Sequence, residues 1–334
     1  MRPIRALLNT ALAIVVAAGV IVACAGLWFR DAVYGDRSLP AAATTFIVQR
    51  GETLGDVVAG LQNAGVLAHP IAFRLLARLR DNEADVQSGQ FRFPAHQTSD
   101  EILRRLVSGT ADALWVTFPE GFTAREIGSR LAGRSLANAA AFDRYAAHAQ
   151  LDVDGTRTRS LEGFLFPSTY LIPVGADPER IARVLTDQFF RELPPNAAAQ
   201  ARALGLDVPQ VITIASLIER EAQADDERAL MAGVYYNRLR AGMPLEVDAT
   251  IEYVFPEHHD VITRRDLEID SPYNTYRHTG LPPTPIANPG KASIDAAFAP
   301  VHSQYLYYVY KGNGHHAFAK TLEEHNANVE RYLH

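Results

Sequence analysis

The apolar positions of this 334-residue chain follow one pattern at the N-terminus and another in the rest of the sequence. Residues 7–29 form an unbroken apolar run of 23 residues (29 − 7 + 1) in which Asn9 and Thr10 are the only plainly polar members. A helix rises ~1.5 Å per residue, so such a run reaches across a hydrocarbon layer of ~30 Å. The pattern therefore predicts a single membrane-spanning helix.

The charges beside this run predict its orientation. Two arginines precede it, whereas Arg30 and Asp31 follow it and nearly cancel. Positive residues stay on the cytoplasmic side, which puts the remaining residues outside the cytoplasm. Two other interpretations fit the segment: a cleaved signal peptide, or a lipoprotein signal that modifies Cys24. The apolar residues continue to Phe29, beyond either processing site, and this favours an uncleaved anchor. All three interpretations imply export.

After the apolar run, the spacing of apolar residues alternates between strand-like and helix-like segments. Turn residues at 31–44 indicate a linker. Thr53 is placed to cap a helix that begins at residue 54, and Ser293 a short helix that ends near residue 299. Strands are predicted at 46–48, 89–93, 114–118 and 305–311. The other helices are predicted at 70–79, 100–107, 124–131, 142–149, 178–193, 209–222, 225–239 and 322–332.

Composition excludes several classes of function. The net charge is −6 and no block of Lys or Arg stands out after the N-terminus, so a nucleic-acid partner is not expected. The one cysteine allows no intrachain disulfide. The histidine pairs at 258–259 and 315–316 lack the spacing of a metal site. Neither a metal nor a cofactor is expected.

The strongest chemical feature is an acidic pair at the end of an apolar segment. Residues 211–218 are mostly apolar and are followed by Glu219, Arg220 and Glu221. A carboxyl group at the edge of a core is desolvated, and desolvation raises a pKa toward neutrality. A carboxylic acid that donates a proton near pH 7 requires such an environment. The plainer interpretation is that the pair is the solvated end of a helix.

Aromatic and amide residues are concentrated downstream of this pair. They occur in YYNR (235–238), EVDAT (246–250), SPYNTY (271–276), GLPP (280–283) and IANPG (286–290). Sugars are recognised by flat aromatic faces together with planar amide and carboxylate groups, and these segments supply both. Equally, the same residues are typical of a loop-rich region with capping side chains and structural prolines.

These motifs carry a family resemblance. The segments ASLIERE (215–221) and VYYNRL (234–239), followed in order by the downstream motifs, resemble the endolytic murein transglycosylase family (MltG, YceG-like). EGFLFP (162–167) is similar to the family's EGYLFPDTY, with Ser168 where Asp is usual, and Ala249 stands where Pro is frequent. FIVQRGETL (46–54) resembles the opening of a LysM module, which binds N-acetylglucosamine-containing glycans.

The resemblance implies an α+β fold. Its expected parts are a transmembrane anchor (1–30), the linker (31–44), a small LysM-like α/β subdomain (45–110), an intermediate region (111–205) and a mixed α+β catalytic domain (206–334). The implied location is the inner membrane, with a single pass, a cytoplasmic N-terminus and a periplasmic catalytic domain.

The implied activity is cleavage of the β-1,4 bond between N-acetylmuramic acid and N-acetylglucosamine in nascent peptidoglycan strands. It leaves a 1,6-anhydro end and terminates elongation, beside membrane-bound peptidoglycan synthases. Glu219 is the implied catalytic acid and base. The residues expected to position the glycan or tune Glu219 are Glu221, Asn237, Asp248, Tyr273, Asn274 and Tyr276. The alternative is a non-catalytic, membrane-tethered scaffold that binds peptidoglycan.

Overall fold

The computed structural model describes residues 2–108, 111–255 and 262–333. The α-helices are α1 (Arg2–Arg30), α2 (Leu54–Asn63), α3 (Pro70–Leu79), α4 (Ser99–Val107), α5 (Ala124–Gly133), α6 (Ala139–His148), α7 (Pro178–Glu192), α8 (Ala197–Ala203), α9 (Val208–Glu221), α10 (Arg228–Ala241), α11 (Asp248–Val254), α12 (Lys291–Phe298) and α13 (Leu322–Leu333). The strands are β1 (Thr44–Val48), β2 (Gly89–Phe93), β3 (Ala113–Thr117), β4 (Asp152–Val153), β5 (Thr156–Arg157), β6 (Thr169–Pro173), β7 (Tyr307–Gly312) and β8 (His315–Ala319). The expected α+β class is confirmed.

Helix α1 contains the predicted apolar run and is long and apolar enough to cross a membrane. Apolar side chains along it, from Leu12 to Trp28, are exposed rather than packed in a core. A π-helical turn at Asp31–Gly35 follows, and its Ala32 and Val33 are buried in the core that also contains Phe73 and Phe91. The segment expected as a linker therefore begins with residues that pack.

The chain divides into two compact units, and the first comprises Met1–Val116 and Tyr170–Val174. Its sheet has the strand order β1-β2-β3-β6, and β1 pairs antiparallel with β2 so that Phe46 lies opposite Phe91. Helices α2 and α4 each begin with a capping box, formed by Thr53 and by Thr98. Between the sheet and the helices lies a core of fully buried side chains that includes Val58, Leu61, Phe73, Phe91 and Phe93.

The second unit comprises Thr117–Thr169 and Gly175–His334, and α9 lies in its core. Helix α9 packs against α8, α10, α11 and α12. The hairpin of β7 and β8 packs against α13, and Glu227 holds it because its carboxylate accepts the backbone N–H of His316 at 2.9–3.0 Å. The buried His316 ring also bonds this carboxylate, at 2.9 Å.

Two details of the second unit differ from the sequence prediction. Ser293 was expected to cap the helix that ends near residue 299. This is wrong, because Gly290 is the N-cap and Ser293 lies in the first turn of α12. The hydroxyl of Ser293 is buried and accepts a hydrogen bond from Arg228, which explains its presence in the helix. The EVDAT motif, which one interpretation placed in a loop-rich region, contributes its residues 248–250 to the helix α11.

We predict that Phe73→Ala destabilises the first unit by about 3–5 kcal/mol, because it leaves a cavity where a fully buried ring packs. Ile71→Ala in the same helix is the matched control, since Ile71 is 73% exposed and should change stability by less than about 0.5 kcal/mol. Urea unfolding of the full-length protein in detergent, followed by tryptophan fluorescence, measures both. Equal effects of the two substitutions would contradict the packing described.

Candidate active site

Helix α9 is apolar over most of its length, and its charged residues lie at its C-terminal end. Asp207 caps its N-terminus, with Gln210 completing a capping box, and Pro209 lies in its first turn. Every residue from Val211 to Ile218 is buried. The helix ends at Glu221 because Ala222 is extended. The predicted placement of Glu219 at the end of a buried apolar helix is confirmed.

The side chain of Glu219 is 7% exposed and has two polar neighbours. Its Oε2 accepts the backbone N–H of Gly290 at 3.0 Å. The guanidinium of Arg228 lies 3.6 Å from the same oxygen and also donates to Ser293 and Asp225, at 2.6 and 2.9 Å. Within the part of the chain that the structure describes, no hydrogen bond engages Oε1 of Glu219.

A tight turn at residues 119–122 lies beside Glu219. Gly121 has a φ of +76°, and a Cβ there would lie 3.7 Å from Cγ of Glu219. The backbone of the turn is held by Asn288, whose O accepts from Gly121 N at 3.0 Å and whose N donates to Phe122 O at 2.9 Å. The carboxylate of Glu120 lies against the Cα of Gly290, so that a side chain at Gly290 would collide with it.

The side chain of Asn288 is 1% exposed and joins three segments of the chain. Its Oδ1 accepts the backbone N–H groups of Gly163 and Leu165, both at 2.9 Å. Its Nδ2 donates to Phe122 O at 2.8 Å and to the Glu162 carboxylate at 3.0 Å. Each polar group of this amide therefore has partners, which fixes the turn at residues 119–122 relative to residues 162–165.

Glu162 is a buried carboxylate that lies against the first residue of α5. Both its oxygens accept the N–H of Ala124, at 3.0 and 3.1 Å, and the hydroxyl of Tyr253 donates to it at 3.3 Å. Burial raises the pKa of Glu162 to about 7, although these hydrogen bonds act in the opposite direction. Glu162 also lines a cavity of about 430 Å³ together with Tyr253, Arg220 and Glu252.

Glu221 lies on the opposite side of α9 from Glu219, because residues two positions apart do not share a helix face. Its carboxylate accepts from the hydroxyl of Tyr308 at 3.2 Å, and Tyr308 also bonds the buried Tyr235 at 2.9 Å. Burial, with the charge of Asp248 nearby, raises the pKa of Glu221 to about 7. The two glutamates of the predicted acidic pair therefore belong to two different polar clusters.

The other predicted site residues fall into separate groups. Asp248 accepts from the hydroxyl of Tyr276 at 2.6 Å, near Glu221. The hydroxyl of Tyr273 bonds Thr284 at 2.8 Å, and its ring lies 5.0 Å from that of Tyr253. Asn274 and Asn237 bond backbone carbonyl groups of nearby loops. The structure thus brings Glu221, Asp248 and Tyr276 together and places Tyr273, Asn274 and Asn237 elsewhere.

Comparison with known proteins gives the chain its family. The model of the YceG-like family matches residues 46–331. The chain belongs to the YceG-like family.

Relatives of this chain include proteins named endolytic murein transglycosylase. An endolytic murein transglycosylase of Bacillus subtilis (strain 168) is 32% identical over 310 residues, covering 86% of this chain and 84% of the relative. An endolytic murein transglycosylase of Streptococcus pneumoniae serotype 2 is 28% identical, and the match covers 86% of this chain but 58% of that protein. A crystal structure of a YceG-like protein from Listeria monocytogenes superimposes with a TM-score of 0.61 at 27% identity, covering 85% of this chain and 98% of that one.

Sequence reasoning on this YceG-like chain missed Glu120, Glu162 and Asn288 as site residues. The available signal for Glu120 is an acid between Pro119 and Gly121. Glu162 and Asn288 lie within motifs of the family resemblance, but the residues next to them in the sequence do not predict that the two side chains contact each other. Of the histidines considered as metal ligands, those at 258 and 259 lie outside the described residues.

We predict that Asn288→Ala lowers the free energy of unfolding by roughly 3 kcal/mol, because the buried N–H groups of Gly163 and Leu165 lose their acceptor. Asn196→Ala is the control, since Asn196 is exposed and its side chain makes no capping hydrogen bond. Thermal unfolding of the full-length protein by circular dichroism measures the difference. Similar melting temperatures for both variants would show that Asn288 does not hold the loops.

The raised pKa of Glu162 makes stability depend on pH. The folded protein holds this proton more tightly than the unfolded chain, so the stabilisation is complete below pH 4.5 and is lost as pH rises through 7. In the wild type, the free energy of unfolding should fall by on the order of 3 kcal/mol between these pH values. Glu162→Gln should abolish this fall while keeping the fold, since the amide can still accept from Ala124. Urea unfolding at pH 4.5, 6 and 8 measures it, and identical pH slopes in the wild type and the variant would refute it.

Proposed function

We propose that this YceG-like protein is an endolytic murein transglycosylase with Glu219 as its catalytic acid and base. The observation that carries the proposal is the position of Glu219. Its side chain is nearly buried at the end of an apolar helix, with one carboxyl oxygen engaged by Gly290 N–H and Arg228 and the other without a hydrogen bond to the described residues. The names of the relatives from Bacillus and Streptococcus support the choice of substrate.

The proposed reaction needs one carboxyl group. Glu219 in its protonated form gives its proton to the oxygen that links N-acetylmuramic acid to N-acetylglucosamine, and the bond from C1 to that oxygen breaks. The C6 hydroxyl of the same N-acetylmuramic acid then bonds to C1, and its proton passes to Glu219. The products are a 1,6-anhydro end and a free 4-hydroxyl, and the enzyme recovers its proton. Ordinary glycosidases use a second carboxylate with water instead.

The setting of the reaction is also proposed. Helix α1 anchors the protein in the inner membrane, with the cytoplasmic N-terminus that the flanking arginines favour. The catalytic unit then lies in the periplasm, where new strands leave membrane-bound synthases, and cleavage there ends strand elongation. The β1–α2–α3–β2 segment, with its LysM-like sequence, would hold the glycan.

We predict that Glu219→Gln abolishes the release of anhydro-muropeptides from purified glycan strands while the fold is kept, because the amide cannot give or take the proton. Mass analysis of the digest measures the product. Glu179→Gln is the matched control, since Glu179 is an exposed residue of α7 paired with Arg183, and it should leave the yield unchanged.

The products decide between the proposal and its rivals. Undiminished anhydro product from the Glu219→Gln protein would remove Glu219 from the mechanism. Fragments that end in a reducing sugar formed by water would make the protein a muramidase that uses the same acid. Binding of glycan strands without turnover by the wild type would support the scaffold alternative.

A further inference from the structure

A second carboxylate, that of Glu120, lies next to the candidate catalytic group. Two independent contacts place it there. The side chain of Glu120 lies against the Cα of Gly290, and the N–H of the same Gly290 donates to Glu219 at 3.0 Å. The following residue, Gly121, has its Cα beside Cγ of Glu219. Glu120 and Glu219 therefore meet at one glycine, and Asn288, two residues before it, bonds the turn that carries Glu120.

The backbone of Gly290 would accept any residue, but the space beside it is occupied by Glu120. Gly290 has φ −76° and ψ 172°, a conformation that any residue adopts. A Cβ at this position would collide with the carboxylate of Glu120, and its three nearest atoms all belong to that side chain. The absence of a side chain at Gly290 is thus explained by the space that Glu120 occupies.

The charges around Glu120 are few. Glu219 and Asp225 repel its negative charge and Arg228 attracts it. Partial burial raises the pKa of Glu120, and the charge of Glu219 raises it further. Arg228 also lies 3.6 Å from Glu219, so its guanidinium faces both carboxyl groups. A general acid must hold its proton until the leaving group takes it, and a positive charge beside an acid acts against that.

We propose that Glu120 is a positioning residue that acts through Glu219: its negative charge offsets that of Arg228, so that the pair of carboxyl groups retains one proton for the glycosidic oxygen. The inference rests on the proposed function. Two neighbouring carboxyl groups do not both ionise readily, and the proton they share belongs to the pair. Glu120 forms no bond to the sugar in this role and transfers no proton itself.

The test is the pH profile of kcat/KM for the full-length protein in detergent, with anhydro ends released from glycan strands as the measured product. Glu120→Gln removes the charge, and the alkaline limb of the profile should move down by about one pH unit. At pH values above the alkaline limb, kcat/KM of the Glu120→Gln protein should then be about tenfold below that of the wild type. Gly290→Ala keeps both carboxylates but displaces Glu120, and it should move the limb in the same direction. Asp295→Asn is the control, because it removes an exposed acid of α12 that pairs with Lys291, and its profile should match the wild type.

Three outcomes bear on the inference. A downward shift in both the Glu120→Gln and Gly290→Ala proteins, but not in Asp295→Asn, supports it. An unchanged limb in Glu120→Gln overturns it, even if the rate falls, because a purely structural role lowers the rate at every pH. A wild-type protein that releases no anhydro ends refutes the proposed function itself, whereas activity that requires Glu219 but shows no shift in Glu120→Gln refutes only the inference.

Discussion

The buried amide of Asn288 is the constraint on which the site depends. It is the common partner of the turn beside Glu219 and the segment that contains Glu162, and it lies two residues before the glycine that binds Glu219. These segments are loops, so no helix or strand ladder satisfies their peptide groups. A buried amide with every donor and acceptor paired supplies the rigidity that regular structure would otherwise give. The position of the carboxyl group is therefore set by polar contacts between loops and not by α9 alone.

Helix α9 separates two acidic environments within one turn. Glu219 faces a backbone N–H and a guanidinium, whereas Glu221 faces a phenol from the β7–β8 hairpin. Burial raises the pKa of Tyr308, which keeps its phenol a neutral donor to Glu221. Two glutamates two positions apart thus have different environments because opposite faces of a helix meet different parts of the chain.

Much of the local structure follows from the sequence, and little of the site does. The cap at Thr53, the proline that opens α3 and the end of α9 at its acidic pair are all encoded within a few residues, and the structure confirms them. The catalytic role of Glu219 stays a prediction. The hydrogen-bond partners of the Asn288 side chain are 123 to 166 residues away along the chain. The spacing of residues near Asn288 therefore does not predict them. Ser293 shows the same limit, since a residue typical of a cap is used to hold Arg228.

The composition of α9 also has a consequence for the newly made chain. A helix with apolar residues on all sides has no face that water solvates, so it needs its partners before it is stable. One of these, α12, is made about 70 residues later, at Lys291–Phe298. Until then the helix that ends in Glu219 is an exposed hydrophobic segment in a growing polypeptide. The enzyme's central helix is therefore open to aggregation and to chaperones during synthesis.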